Sequence, residues 1–398
     1  MKRILIIATH FYPEIVPRAI HLEGLVSGLC RQGYTVDLVL PDRGFRKSKE
    51  LSNLTLHFVR NTVATTRKEL IRNIPHFFSG TLPIASFDRL AFNHILKHDL
   101  DKKTDIVLTI SWPFMSHIVG FKLKKRNPHL TWIAEYSDPI TPKAFASLYP
   151  ASPPKNKLRE TISLLPSLRL GFSEKRIFKK IDHVLLPIPA MMKYFLDTGM
   201  KQEQLHVISQ LFADVATPAP HGYTHLYPDK INLLLFGMLH PQIRNPLVFL
   251  KAYKRATDDG KNLALHYFGE EQQMLAYLQT ADLNAKTHNI YVNERLERNK
   301  LLDLICHVDI LLHLNNAGTN PRPSKVLDLI KSDKPILNMG PPLFENTFSN
   351  VDNEEEAIYQ RLMSLSKHNP PVDYTAIKAL FSYESNLAKY TNVLNSNL

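Results

Sequence analysis

At 398 residues, 44% of them hydrophobic, the chain is too long for one ordinary core and too apolar to be disordered; it suits two α/β domains. Two distant cysteines, Cys30 and Cys306, exclude a disulfide framework and a cysteine metal cluster, and make a reducing, cytoplasmic compartment the default. The net charge of +12 is divided unevenly: residues 1–205 carry 31 Lys+Arg against 17 Asp+Glu, or +14, and residues 206–398 carry 18 against 20, or −2. An anionic partner for the first half follows, and without a nucleic-acid motif a membrane surface or phosphate-bearing acceptor fits better than RNA or DNA.

In chain order, the apolar run Lys2–Ala8 predicts a buried parallel strand. It is too short for a signal peptide, and no stretch is long enough to span a bilayer, so the expected location is cytoplasmic, at most peripheral on the inner face of the plasma membrane. Pro17–Arg31 has helical spacing closed by Gly33, and Thr35–Leu40 completes a βαβ unit. Further strands are expected at Leu54–Val59, Ile106–Ile110, Thr131–Glu135 and His183–Pro187. A second series follows, with strands at Asn232–Gly237, Ala264–Phe268, Asn289–Val292, Asp309–Leu314 and Pro335–Met339. Helices at Pro246–Thr257, Gln272–Thr280, Asn299–Cys306 and Ser324–Lys331 alternate with them. The prediction is two Rossmann-like doubly wound domains, residues 1–205 and 206–373, with a helical segment 374–398 after them. Basic and apolar residues alternate in insertions at 60–104 and 143–181, which suit either a membrane interface or a solvated helix face.

Ligands of open α/β sheets bind beyond the carboxyl ends of the strands, so the loops there carry the candidate chemistry. After the first strand come Pro13 and Glu14, leading to Arg18, without the glycine pattern of a dinucleotide site. After Thr131–Glu135 two carboxylates, Glu135 and Asp138, stand together. After Asn232–Gly237, Gly237 permits close backbone approach, and Arg244 precedes a helix start where an anion would neutralise it. The fourth loop runs through Thr319 and Asn320 to Ser324, a fitting N-cap, and Lys325, a cation in the first helical turn. A diphosphate accepting from both would relieve that conflict, with Asp328 one turn on within reach of a ribose. His117 lies on an apolar helix, where a lone histidine is more often structural.

The segment Pro323-Ser324-Lys325-Val326-Leu327-Asp328, continuing to Lys334-Pro335, resembles the donor motif of GT-B glycosyltransferases of family 4. Phe11-Tyr12-Pro13-Glu14, Arg31-Gln32-Gly33-Tyr34 and Ala134-Glu135-Tyr136-Ser137-Asp138-Pro139 are similar to other segments of that family, and Phe381-Ser382-Tyr383-Glu384 to the start of its final helix, which crosses back to the first domain. The resemblance implies retaining, metal-independent transfer of a sugar from a nucleoside diphosphate donor, with no further cofactor, to a glycan or lipid-linked acceptor of surface polysaccharide synthesis. It places Lys325 and Arg244 on phosphate, Asp328 on ribose, Asn293 near the base, and Asp138 and Glu135 on the acceptor side. The sequence departs from the pattern at Asn320, where a carboxylate is usual, and at Met238, where an arginine is usual. A sugar-nucleotide epimerase of the same fold and a non-catalytic sugar-nucleotide binder are the alternatives.

Overall fold

The computed structural model describes residues 2–14, 16–42, 51–60, 87–111, 115–137, 176–211, 222–241, 244–315, 326–344 and 347–396. The chain divides into two units, Met1–Ala213 with Ser382–Leu398, and Asp214–Phe381.

The first unit is built on a seven-stranded parallel sheet. Its strands are β1 (Arg3–Ile7), β2 (Thr35–Asp42), β3 (Leu54–Arg60), β4 (Ile106–Ile110), β5 (Thr131–Glu135), β6 (His183–Leu186) and β7 (Leu205–Val207). They lie in the order 3-2-1-4-5-6-7, so the winding reverses between β1 and β4. Helix α1 (Pro17–Arg31) starts on a proline, whose missing N–H costs nothing there, and ends before Gly33 at φ +85°. It packs with Ile4, Ile6 and Ile133 on one face of the sheet. Helices α2 (Phe87–Lys97), α3 (Met115–Arg126) and α4 (Met192–Asp197) cover the other face, around Leu5, Ile7 and Trp132. In α2 the buried Phe87, Ala91 and Ile95 face the core, so this part of the first basic insertion packs on its own domain. Residues 61–86 and 138–175, which hold most of both insertions, lie outside the described residues.

The second unit repeats the plan with six parallel strands: β8 (Ile231–Phe236), β9 (Leu263–Gly269), β10 (Ile290–Glu294), β11 (Ile310–Leu314), β12 (Ile336–Met339) and β13 (Ser349–Val351). The order is 10-9-8-11-12-13, with the reversal between β8 and β11. Helices α5 (Leu247–Asp258), α6 (Glu271–Thr280), α7 (Arg298–His307), α8 (Val326–Leu329), α9 (Glu355–Ser364) and α10 (Thr375–Leu380) belong to it. The strands alternate their apolar side chains between two cores, Leu233 and Leu235 to one and Leu234 and Phe236 to the other. The tail of the chain then separates. Helix α10 stays with the second unit, while α11 (Tyr383–Asn395) packs Leu387, Tyr390, Val393 and Leu394 into the core of the first.

Candidate functional site

At the carboxyl end of the second sheet, the loop after β8 is tied to β9 by two hydrogen bonds, and a third joins one of the same groups, the Tyr267 hydroxyl, to the loop after β9. Gly237, at φ +92°, donates its N–H to the Phe268 carbonyl at 2.8 Å. Its carbonyl accepts from the buried Tyr267 hydroxyl at 3.0 Å, and that hydroxyl accepts from the Glu270 N–H at 3.0 Å. Burial pushes the Tyr267 phenol above its ordinary range and keeps it a neutral donor. The loop then turns at His240 and Arg244, whose backbones exchange hydrogen bonds of 3.3 and 2.9 Å. Helix α5 begins at Leu247, one residue later than its expected start at Pro246, and the Asn245 side chain accepts the Leu247 N–H at 2.9 Å. Part of the positive end of that helix is therefore answered by Asn245.

Other described residues at this end are hydrogen-bonded as well. Asn315, following β11, donates its carboxamide to the Pro341 carbonyl at 2.7 Å. Asn338 on β12 donates to the same carbonyl at 3.0 Å and to Asn350 Oδ1 at 2.7 Å. Asn293, near the end of β10, makes long bonds of 3.3 and 3.4 Å to the Tyr291 and Tyr267 carbonyls. On α8, Asp328 is paired with Arg298, the first residue of α7, at 2.8 Å, with both side chains largely buried. Arg298 was not anticipated from the sequence. The signal was an arginine at a helix start, unfavourable without an anion, as at Arg244. Thr319, Asn320, Ser324 and Lys325 lie outside the described residues.

At the carboxyl end of the first sheet, Glu14 pairs with His10 at 2.6 Å in the loop after β1, which also holds Pro13; Arg18 is half-buried in the first turn of α1. Tyr12 and Val16 of the same stretch are exposed. Glu135 ends β5 but is buried, and both of its oxygens are engaged inside the domain. One lies 2.8 Å from His21 Nε2 on α1, and the other accepts from the Tyr390 hydroxyl on α11 at 2.9 Å. His21 Nδ1 accepts the Leu211 N–H at 2.8 Å, which leaves the ring proton on Nε2, facing the carboxylate. Glu135 thus joins two helices to a strand end. Asp138, its expected companion, lies outside the described residues. His117 is fully buried on α3, stacked on Tyr136 at 4.3 Å, with Nδ1 2.8 Å from the Thr109 hydroxyl. Burial holds its pKa down at about 3, which keeps the ring neutral.

Among the described residues no group of three or more His, Cys, Asp or Glu could hold a metal ion, and no helix is long and apolar enough to cross a membrane. No protein-family model matches the chain, and no curated protein matches its sequence. Its likeness to solved structures runs over its full length. The Anabaena protein HepE in complex with UDP and glucose has a TM-score of 0.59 at 12% identity, covering 100% of both chains. A glycosyltransferase from Rickettsia africae has 0.57 at 12%, covering 100% of this chain and 98% of the other. Trehalose-6-phosphate synthase OtsA has 0.55 at 13%, covering 100% and 96%. Two doubly wound units and a full-length match to these structures define the GT-B fold.

Proposed function

We propose that the protein is a glycosyltransferase that moves a sugar from a nucleoside diphosphate sugar to a glycan or lipid-linked acceptor. The observation that carries this is the full-length likeness to HepE in complex with UDP and glucose, joined to a second sheet at whose carboxyl end Gly237 is hydrogen-bonded at both its N–H and its carbonyl, and to the pairing of Asp328 with Arg298. In this role Lys325 and Arg244 hold the diphosphate, with Gly237, Thr319, Asn320 and Ser324 beside it. Asp328, oriented by Arg298, takes the ribose, and Asn293 lies near the base. Pro13, Glu14, Arg18 and Asp138 serve the acceptor. The bond from the anomeric carbon to the diphosphate breaks, an acceptor hydroxyl oxygen bonds to that carbon with retention, and the hydroxyl proton leaves. Protein cations and backbone N–H groups stabilise the departing diphosphate without a metal. The basic first half suits an acceptor at an anionic membrane surface, as in the building of a surface polysaccharide.

The test is incubation with UDP-, GDP- and CMP-sugars, following thermal stabilisation and donor hydrolysis. One stabilising donor with slow hydrolysis is expected, and Lys325→Ala should weaken its binding at least tenfold, about 1.4 kcal/mol. Unchanged affinity in that variant removes Lys325 from the diphosphate. Binding without any turnover, even with a lipid-linked acceptor extract, makes the protein a sugar-nucleotide binder, in keeping with the amide at Asn320. Interconversion of the sugar with the nucleotide still attached makes it an epimerase.

A further inference from the structure

Three residues at the end of the second sheet form a device that none of the assigned donor contacts explains. Tyr267 is buried, yet its hydroxyl reaches the rim of the sheet and bridges two loops, donating to the Gly237 carbonyl and accepting from the Glu270 N–H. Space for that hydroxyl exists because residue 269 is glycine. A Cβ there would lie 2.2 Å from Tyr267 Oη and 2.7 Å from the Gly237 oxygen. Gly237 is thus bonded at both its N–H and its carbonyl, in a backbone conformation at φ +92° that side chains rarely adopt. Such a fastening determines the orientation of the next peptide plane.

In a trans peptide the carbonyl and the following N–H point in opposite directions. With the Gly237 carbonyl turned toward Tyr267, the Met238 N–H points away from it. Among the described residues this N–H makes no hydrogen bond, and the Met238 side chain is 51% exposed. An outward backbone N–H at the end of β8, beside the point where the winding reverses, is a ready donor to an anionic ligand.

We propose that Tyr267 is a positioning residue for the sugar-nucleotide donor: its hydroxyl holds the Gly237–Met238 peptide so that the Met238 N–H meets the donor diphosphate. This rests on the donor role proposed above. Tyr267 touches no substrate and acts through the peptide it orients. The arrangement supplies, from the backbone, one of the diphosphate contacts that an arginine at residue 238 would otherwise make.

The experiment uses the full chain and measures the affinity of UDP, GDP and ADP and of their parent nucleosides. For the tightest diphosphate, Tyr267→Phe should raise Kd about tenfold, the scale of one charge-assisted hydrogen bond. The affinity of the parent nucleoside, which keeps base and ribose, should change less than about twofold on the same principle. Gly269→Ala, which retains the phenol but displaces it, should reproduce the selective loss. In donor hydrolysis, kcat/KM should fall by about the same factor. Equal loss for diphosphate and nucleoside would mean a structural role only and overturns the proposal. Unchanged diphosphate affinity in Tyr267→Phe overturns it as well. If the wild type binds none of the three diphosphates, the donor role itself fails and the positioning role goes with it.

Discussion

Glu135 is a carboxylate at a strand end whose partners lie within the core. Its sequence position, three residues before Asp138 and at the exit of a predicted strand, is where catalytic acids are found. Its side chain accepts from His21 and Tyr390. Glu135→Ala should therefore destabilise the first unit by about 3 kcal/mol, because two buried donors lose a charged acceptor. Urea unfolding measures this, and nucleotide affinity should be unchanged. Undiminished stability with lost transfer activity would place Glu135 in the reaction. A second residue prediction concerns pH. His266 donates from Nε2 to Asn232 Oδ1 at 3.0 Å, and its Nδ1 accepts from the Tyr223 hydroxyl at 2.9 Å; this accommodates the neutral ring, and burial lowers its pKa to about 4. The unfolded ring takes a proton near pH 6.5, so the folded state binds protons less readily than the unfolded one. The contribution to stability is therefore complete above about pH 6.5 and is lost as pH falls from there toward about 4. Urea midpoints taken between about pH 7 and pH 4.5 should fall, and His266→Gln should flatten the decline for the second unit.

Elements were more legible than side-chain roles, for identifiable reasons. The five-residue strands Thr131–Glu135 and Ile106–Ile110 occur at their expected positions because burial on both faces leaves a mostly apolar run, Trp132–Ala134 and Ile106–Leu108. Strands β7 and β13 escaped notice: each has three residues and lies at a sheet edge, where pairing on one side demands no such run. Asp328 is legible in the sequence as a carboxylate one turn into a helix, while Arg298 comes from thirty residues away in a different helix, a pairing that only tertiary structure creates. Gly120 illustrates the same limit within α3. It reads as a helix weakness, but a Cβ there would lie 2.4 Å from Trp132 Nε1 and 2.8 Å from Thr109 Cγ2. Because Trp132 is buried, Gly120→Ala should cost about 1–3 kcal/mol by overpacking, against the small gain expected of alanine in an exposed helix. Denaturant titration of the variant decides the sign.

At the scale of the molecule, the two units differ in how the chain composes them. The second is one continuous segment, Asp214–Phe381, with two cores of its own, and should fold when produced separately. Nucleotide binding by that fragment, measured against the full chain, would show that its residues supply most of the donor site. The first unit needs residues from both ends of the sequence, since α11 contributes Leu387, Tyr390, Val393 and Leu394 to the core around α1. A chain ending at Phe381 should keep a cooperative transition for the second unit and lose the first, with hydrophobic dye binding as the sign of the uncovered core. During synthesis this reverses the usual order of events. The strands made first must wait, with one face of their sheet incompletely covered, until the whole second unit has been translated and α11 emerges behind it. The unit that begins the sequence is therefore the one whose core is completed last, when its final helix emerges.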